Sequence, residues 1–196
     1  MPYLEGQPIQ LPPDKQIIKW LQEDEYSMEV LNVASKLSLT DWCVAAGFVR
    51  NIVWDKIHGF VKPTPLNDID LIYFDQSNMD PDQDKKYETI LKTWSDHPWS
   101  VKNQARMHIR NDDMPYASTS DAMSYWVEVE TAIGASLSKD GEILLNAPFG
   151  LDALFSNTIT LNQKRIKRDA FKQRLESKMW LQQWPKLKVD YSGKIL

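Results

Sequence analysis

The sequence predicts an α/β or α+β sheet domain. Helical and strand-like patterns alternate along the 196 residues, and a hydrophobic content of 42% suffices for a sizeable core. The run Ile69 to Phe74 reads as a buried strand interrupted only by Asp70. No repeat, low-complexity stretch or linker divides the chain. Residues 1–196 therefore read as one domain, with N-terminal helices (about 14–38) and a C-terminal helix (about 164–180) packed on it.

Residues 1–13 are rich in proline and polar groups and read as an extended lead-in. Ile17, Ile18 and Leu21 then recur at helical spacing. Ser27 is a candidate cap for a second helix that presents Val30, Leu31, Ala34 and Leu37 on one face. Trp42 to Ala46 reads as a short buried strand that turns at Gly47 into a helix, Phe48 to His58. Residues 59–67 hold glycine, two prolines and asparagine, a loop composition. After the strand at 69–74, a polar loop leads to a helix at 84–95 and a strand from Trp99 to His108. A loop (111–117) and a short helix (118–126) come next, then strands at 131–137 and 142–145 and a turn at 146–150. One helical turn (151–155), a strand (158–161), a long helix (164–180) and an irregular tail complete the pattern.

Composition narrows the function. No apolar run is long enough to span a bilayer, and Met1 to Glu5 lacks the basic-then-apolar order of a secretory signal. One cysteine, Cys43, allows no internal disulfide and reads as a buried, inert thiol. Cytoplasm is the expected compartment. The net charge of −4 argues against broad nucleic-acid binding, and no DNA partner is expected. Lys164, Arg165, Lys167, Arg168, Lys172 and Arg174 form a basic stretch, read as a solvated helix face in preference to an RNA grip. Eight tryptophans can stack bases, but most are expected in the core.

The chemistry lies between Ala46 and Asp70. Alternate residues of a strand share a face, so Asp68 and Asp70 project together, about 7 Å apart, while Ile69 points into the core. Two carboxylates on one face suit a hard cation, Mg²⁺ or Mn²⁺, shared with substrate phosphates. An isolated Asp-x-Asp reads more simply as a strand cap and an ion pair. Here a glycine turn running into a helix precedes it, presenting backbone N–H groups and a positive helix end to phosphate. Arg50, in the first turn of that helix, can reach a phosphate or form a surface ion pair.

Ala46-Gly47-Phe48-Val49-Arg50-Asn51, followed by Asn67-Asp68-Ile69-Asp70, resembles the head-domain signature of tRNA CCA-adding enzymes and related polymerase-β-type nucleotidyltransferases. Their pattern is Gly-Gly-x-Val-Arg-Asp, a helix, then Asp-x-Asp. The segment from Ala147 to Phe155 is similar to the one that closes that head, and Trp99 to His108 resembles a family of small bacterial proteins on the same fold. The resemblance implies a mixed sheet flanked by helices, with Asp68 and Asp70 as catalytic metal ligands. It also implies nucleotide contacts from Gly47, Phe48, Arg50 and Asn51, ATP or another nucleoside triphosphate as donor, and transfer to a hydroxyl.

The departures are specific. Ala46 replaces the first glycine and Asn51 an acid. Many relatives carry a third carboxylate on a later strand, where Val101 to Gln104 has none. Glu128 is the candidate substitute; with Glu130 it shares a face if the segment is extended, and a solvated strand face is the simpler reading. Arg106 is a candidate nucleotide contact and His108 a candidate hydrogen-bonding partner, on alternate positions of the strand after Trp99; ordinary structural roles fit equally. The histidines and the cysteine offer no zinc spacing, and His58 and His97 read as polar caps. The helical domains that hold tRNA have no counterpart in these residues, so CCA addition itself is not expected. Two functions follow: Mg²⁺-dependent nucleotidyl transfer to an RNA, protein or small-molecule hydroxyl, or a catalytically degenerate relative that binds nucleotide, RNA or a protein partner.

Overall fold

The computed structural model describes residues 11–193, so most of the expected lead-in lies outside the described residues. Helix α1 (Pro13–Glu23) starts on a proline, whose fixed φ suits the first helical position and whose missing N–H needs no partner. It buries Ile17 and Leu21. Asp24 ends α1 and caps α2 (Glu25–Ser35): its carboxylate accepts from the Ser27 N–H at 2.9 Å and from the Ser27 hydroxyl. The cap is therefore Asp24 and not Ser27, which sits inside the first turn as the donor.

A five-stranded mixed sheet follows, in the order β3-β2-β1-β4-β5. Its strands are β1 (Trp42–Ala45), β2 (Ile69–Tyr73), β3 (Trp99–Asn103), β4 (Gly134–Leu137) and β5 (Ile143–Asn146). Only β2 and β3 are parallel, joined through α4 (Pro81–Trp94). Both neighbours of β1 are antiparallel to it. At Gly134 a Cβ would lie 2.5 Å from Cys43 Sγ, so this β1–β4 pairing needs a residue without a side chain.

Alternation along β2 assigns the two faces. Ile69, Leu71 and Tyr73 enter the main core with α1, α2, α4 and α3 (Gly47–His58). Ile72 packs on the opposite face with Cys43, Ala45, Met123 and Ala132, and Asp70 shares that side by the strand period. A second sheet pairs β6 (Thr158–Thr160) with β7 (Lys188–Asp190) in parallel. The tail was expected to be irregular; β7 is too short for its pattern to register. Around this pair Trp54, Phe171, Trp180 and Trp184 form a satellite core. Four of the eight tryptophans are buried, and Trp94 is largely exposed.

Three expectations are corrected. The strand from Trp99 stops at Asn103, whose side chain caps a 3₁₀ turn (Gln104–Arg106) through the Ala105 N–H and bonds Asp75 and Asn78. Helix α5 (Met107–Asn111) follows directly, so Arg106 and His108 do not alternate on a strand. The last long helix, α8 (Arg168–Lys178), starts four residues late and breaks at Met179, where φ is +53°; α9 (Trp180–Gln183) follows. The short helices between are α6 (Thr119–Met123) and α7 (Asp152–Phe155).

Candidate active site

Strand β1 delivers the chain to Ala46, at φ +57° and ψ −121°. That conformation is the first corner of a type II′ turn, where glycine is strongly favoured. The Ala46 N–H donates to the Ile133 carbonyl at 2.8 Å, and its own carbonyl accepts from the Arg50 N–H at 3.1 Å. The turn leads straight into α3, whose first N–H groups have no partner within the helix and no side-chain cap. At Gly47 a Cβ would meet Leu66 at 3.3 Å and the Arg50 guanidinium at 3.5 Å, so glycine keeps this approach open.

Arg50 is 6% exposed. Its Nε and NH2 donate to the Asn51 side-chain oxygen at 3.2 and 2.8 Å, and its NH1 donates to Thr131 at 2.9 Å. The guanidinium packs against the Trp54 and Trp180 rings, 4.9 and 4.8 Å from their centroids. Burial lowers its pKa to about 10, and Arg174 adds to that while Glu128, Glu130 and Asp70 oppose it. Asn51 thus keeps the hydrogen bonds an acid would make there, without the charge.

Asp68 is exposed immediately before β2, and Asp70 is half-buried within it. Ser100 is the register partner of Asp70 on β3, and its hydroxyl favours the ionised carboxylate. Burial raises the Asp70 pKa above the ordinary carboxylate value, and the neighbouring Asp68 charge raises it further; Lys178 and Arg50 oppose the shift. Both aspartates open into a polar cavity of about 110 Å³ that Gly47, Arg50, Arg174 and Lys178 also line. A largely apolar cavity of about 300 Å³ adjoins it across Gly47, Asn51 and the 64–66 loop, with Phe48 in its wall. On the other side, a groove of about 280 Å³ shares Asp70 and Arg174 and takes in Glu128 and Lys102.

The donor set can be tested against a divalent ion. Among the described residues no group of three or more His, Cys, Asp or Glu side chains is arranged to hold a metal. Asp68 and Asp70 supply hard oxygen donors, and the cost of burying the Asp70 charge is only partly offset. That pair fits Mg²⁺, which often takes only one or two protein carboxylates and completes its shell with water and phosphate.

Glu128 and Glu130 are not a solvated strand face: each is 1% exposed. Both Glu128 oxygens accept from Arg174, at 2.6 and 3.1 Å. Glu130 accepts from the Thr160 N–H and hydroxyl and from Thr158, and burial raises its pKa. Arg106 lies outside the aspartate cavity, paired with buried Asp84. The His108 ring meets the Ala105 carbonyl at 2.9 Å. Lys164, Arg165, Lys167 and Arg174 of the basic stretch are engaged by Asp121, Asp113 and Glu128, so they form no free cationic face. Sequence reading missed Lys178, Trp180, Gln183 and Trp184 as wall residues. The only local signal was the four-residue spacing of Arg174 and Lys178 on α8.

Residues 32–189 match a family model described as "Nucleotidyltransferase". An NMR structure described as revealing a CCA-adding enzyme head domain superposes with a TM-score of 0.80 at 27% identity, covering 91% of this chain and 96% of that one. A CCA-adding enzyme in complex with CTP superposes with a TM-score of 0.59 at 13% identity; 90% of this chain matches 43% of that one, a likeness of fold. A search of curated proteins finds no match.

Proposed function

The chain belongs to the nucleotidyltransferase family, and from that premise we propose that it moves a nucleoside monophosphate from a nucleoside triphosphate to a hydroxyl acceptor with Mg²⁺. One observation carries the reading: Asp68 and Asp70 open into the same cavity as Gly47 and the start of α3. Anion-binding N–H groups and cation-binding carboxylates thus face one space, as a metal–triphosphate donor requires.

In this reading Asp68 and Asp70 hold the ion. When bound, Mg²⁺ offsets phosphate charge and lowers the pKa of the acceptor hydroxyl. The acceptor hydroxyl gives up its proton to solvent as its oxygen forms a bond to the α-phosphorus, the bond from that phosphorus to the bridging oxygen breaks, and pyrophosphate leaves with the electron pair. Ser100, beside Asp70 on β3, favours its ionised form. The Gly47 turn orients the phosphate chain, and buried Arg50 contributes positive potential.

A second reading, nucleotide binding without turnover, has its own observation. Both Glu128 oxygens are held by Arg174, and β3 places Ser100 and Lys102 beside Asp70 and Ile72, with no acid. Calorimetry with each of the four triphosphates, with and without Mg²⁺, tests donor binding in the wild type and in Asp70→Asn. The reading expects Mg²⁺-dependent binding that Asp70→Asn abolishes; no wild-type binding would overturn it. Pyrophosphate release across an acceptor screen separates turnover from binding alone.

A further inference from the structure

Resting on that donor-site reading, we propose that Arg174 and Lys178, one turn apart on α8, bind the terminal phosphates of the donor. The C-terminal helix then completes the site instead of only packing against it.

The sequence position of Arg50 marks it for phosphate contact, yet its Nε, NH1 and NH2 each already donate within the protein. The Trp54 and Trp180 rings, which meet edge to face, both pack against its guanidinium. Arg174 and Lys178 line the same cavity as Asp68 and Asp70. A spacing of four residues puts both side chains on one face of α8.

Their surroundings differ in a useful way. Arg174 is fixed: Nε and NH2 grip Glu128, and its guanidinium lies 5.5 Å from the Trp180 ring centroid. NH1 takes no part in that grip and remains for a ligand oxygen. Lys178 is exposed, and no ion pair engages it among the described residues. Its electrostatic counterpart in the site is Asp70. Once a divalent ion engages Asp70, the Lys178 ammonium is left facing the cavity, where a phosphate oxygen is the natural partner. One fixed fork and one mobile point charge suit a phosphate chain.

Met179 explains how α8 reaches the site. Its positive φ ends the helix, and Trp180 and Trp184 then pack with Trp54 and line the cavity beside the two cations. Lys178 itself packs into no core, so its substitution leaves the fold intact.

The test is calorimetry with inorganic tripolyphosphate and with a nucleoside triphosphate, each with Mg²⁺. Wild type is compared with Lys178→Ala, with Lys178→Arg, and with a double variant carrying Arg174→Gln and Glu128→Gln. The double variant removes both charges without stranding either, and thermal melting checks its fold. Lys178→Ala is expected to weaken both ligands about tenfold, the loss of one charge-assisted hydrogen bond. Lys178→Arg should retain most of the affinity, and the double variant should weaken tripolyphosphate by at least as much as Lys178→Ala. Wild-type binding that Lys178→Ala and the double variant both leave unchanged overturns this inference alone. A wild type that binds neither ligand overturns the donor-site reading, and this inference with it.

Discussion

Asp55 and Trp184, 129 residues apart, share a buried 2.8 Å hydrogen bond from the indole N–H to the carboxylate. The same carboxylate accepts from the Thr64 N–H and hydroxyl, both at 2.7 Å. One side chain on α3 thus anchors the loop that leads into Asp68 and the C-terminal wall of the cavity.

Asp55→Ala leaves three donors without their acceptor and is expected to destabilise the fold by about 3 kcal/mol. Asp55→Asn keeps one acceptor oxygen and should lose less. Urea denaturation of both variants checks the order. Equal stability of Asp55→Ala and wild type would refute the anchoring role.

Ala46→Gly should stabilise the protein. The φ of +57° with ψ of −121° burdens an alanine by roughly 1–3 kcal/mol, and glycine adopts it freely. Against this stands the larger chain entropy of unfolded glycine, roughly 0.5–1 kcal/mol. A net gain of about 1 kcal/mol is expected by denaturation. A loss would mean that the turn relaxes around the methyl group.

The placement of the candidate site residues was legible where they are close in sequence. The β1 strand, the Gly47 turn, α3 and Asp68-x-Asp70 lie within 29 residues, and local rules sufficed. The rest depends on distant partners. Glu128 and Glu130 alternate like a surface strand, but Arg174 and Thr160, far along the chain, make them buried anchors. Arg106 follows a strand pattern that Asn103 interrupts with side-chain hydrogen bonds no periodicity encodes. Lys178 became visible only when Met179 folded the following tryptophans onto α3.

Glu128→Gln separates an Arg174 anchor from a metal ligand. As the anchor, Glu128 contributes a bidentate pair whose arginine is partly solvated, so its loss should lower stability by about 1–2 kcal/mol. Mn²⁺ affinity, read from paramagnetic relaxation without nucleotide, should stay within about twofold of wild type, whereas Asp68→Asn should weaken it by more than about tenfold. A Glu128→Gln loss as large as that of Asp68→Asn would make Glu128 the third carboxylate.

Asp70→Asn should stabilise the fold while abolishing Mg²⁺-dependent nucleotide binding. The folded protein holds the Asp70 pKa above its ordinary value, by burial first and by Asp68 second. For such an acid the unfolded chain ionises first as pH rises. Folding therefore loses stability between the ordinary and the raised pKa, and the deficit persists at higher pH. Below the ordinary pKa both states are protonated and the deficit vanishes. Melting temperatures of wild type and Asp70→Asn should thus converge in acid and separate toward neutral pH, with the variant higher. Mg²⁺ should narrow the gap at neutral pH by offsetting the Asp70 charge in the wild type, and should leave the variant unchanged. A variant less stable than wild type at neutral pH would show that the Asp70 carboxylate supports the fold more than its buried charge opposes it.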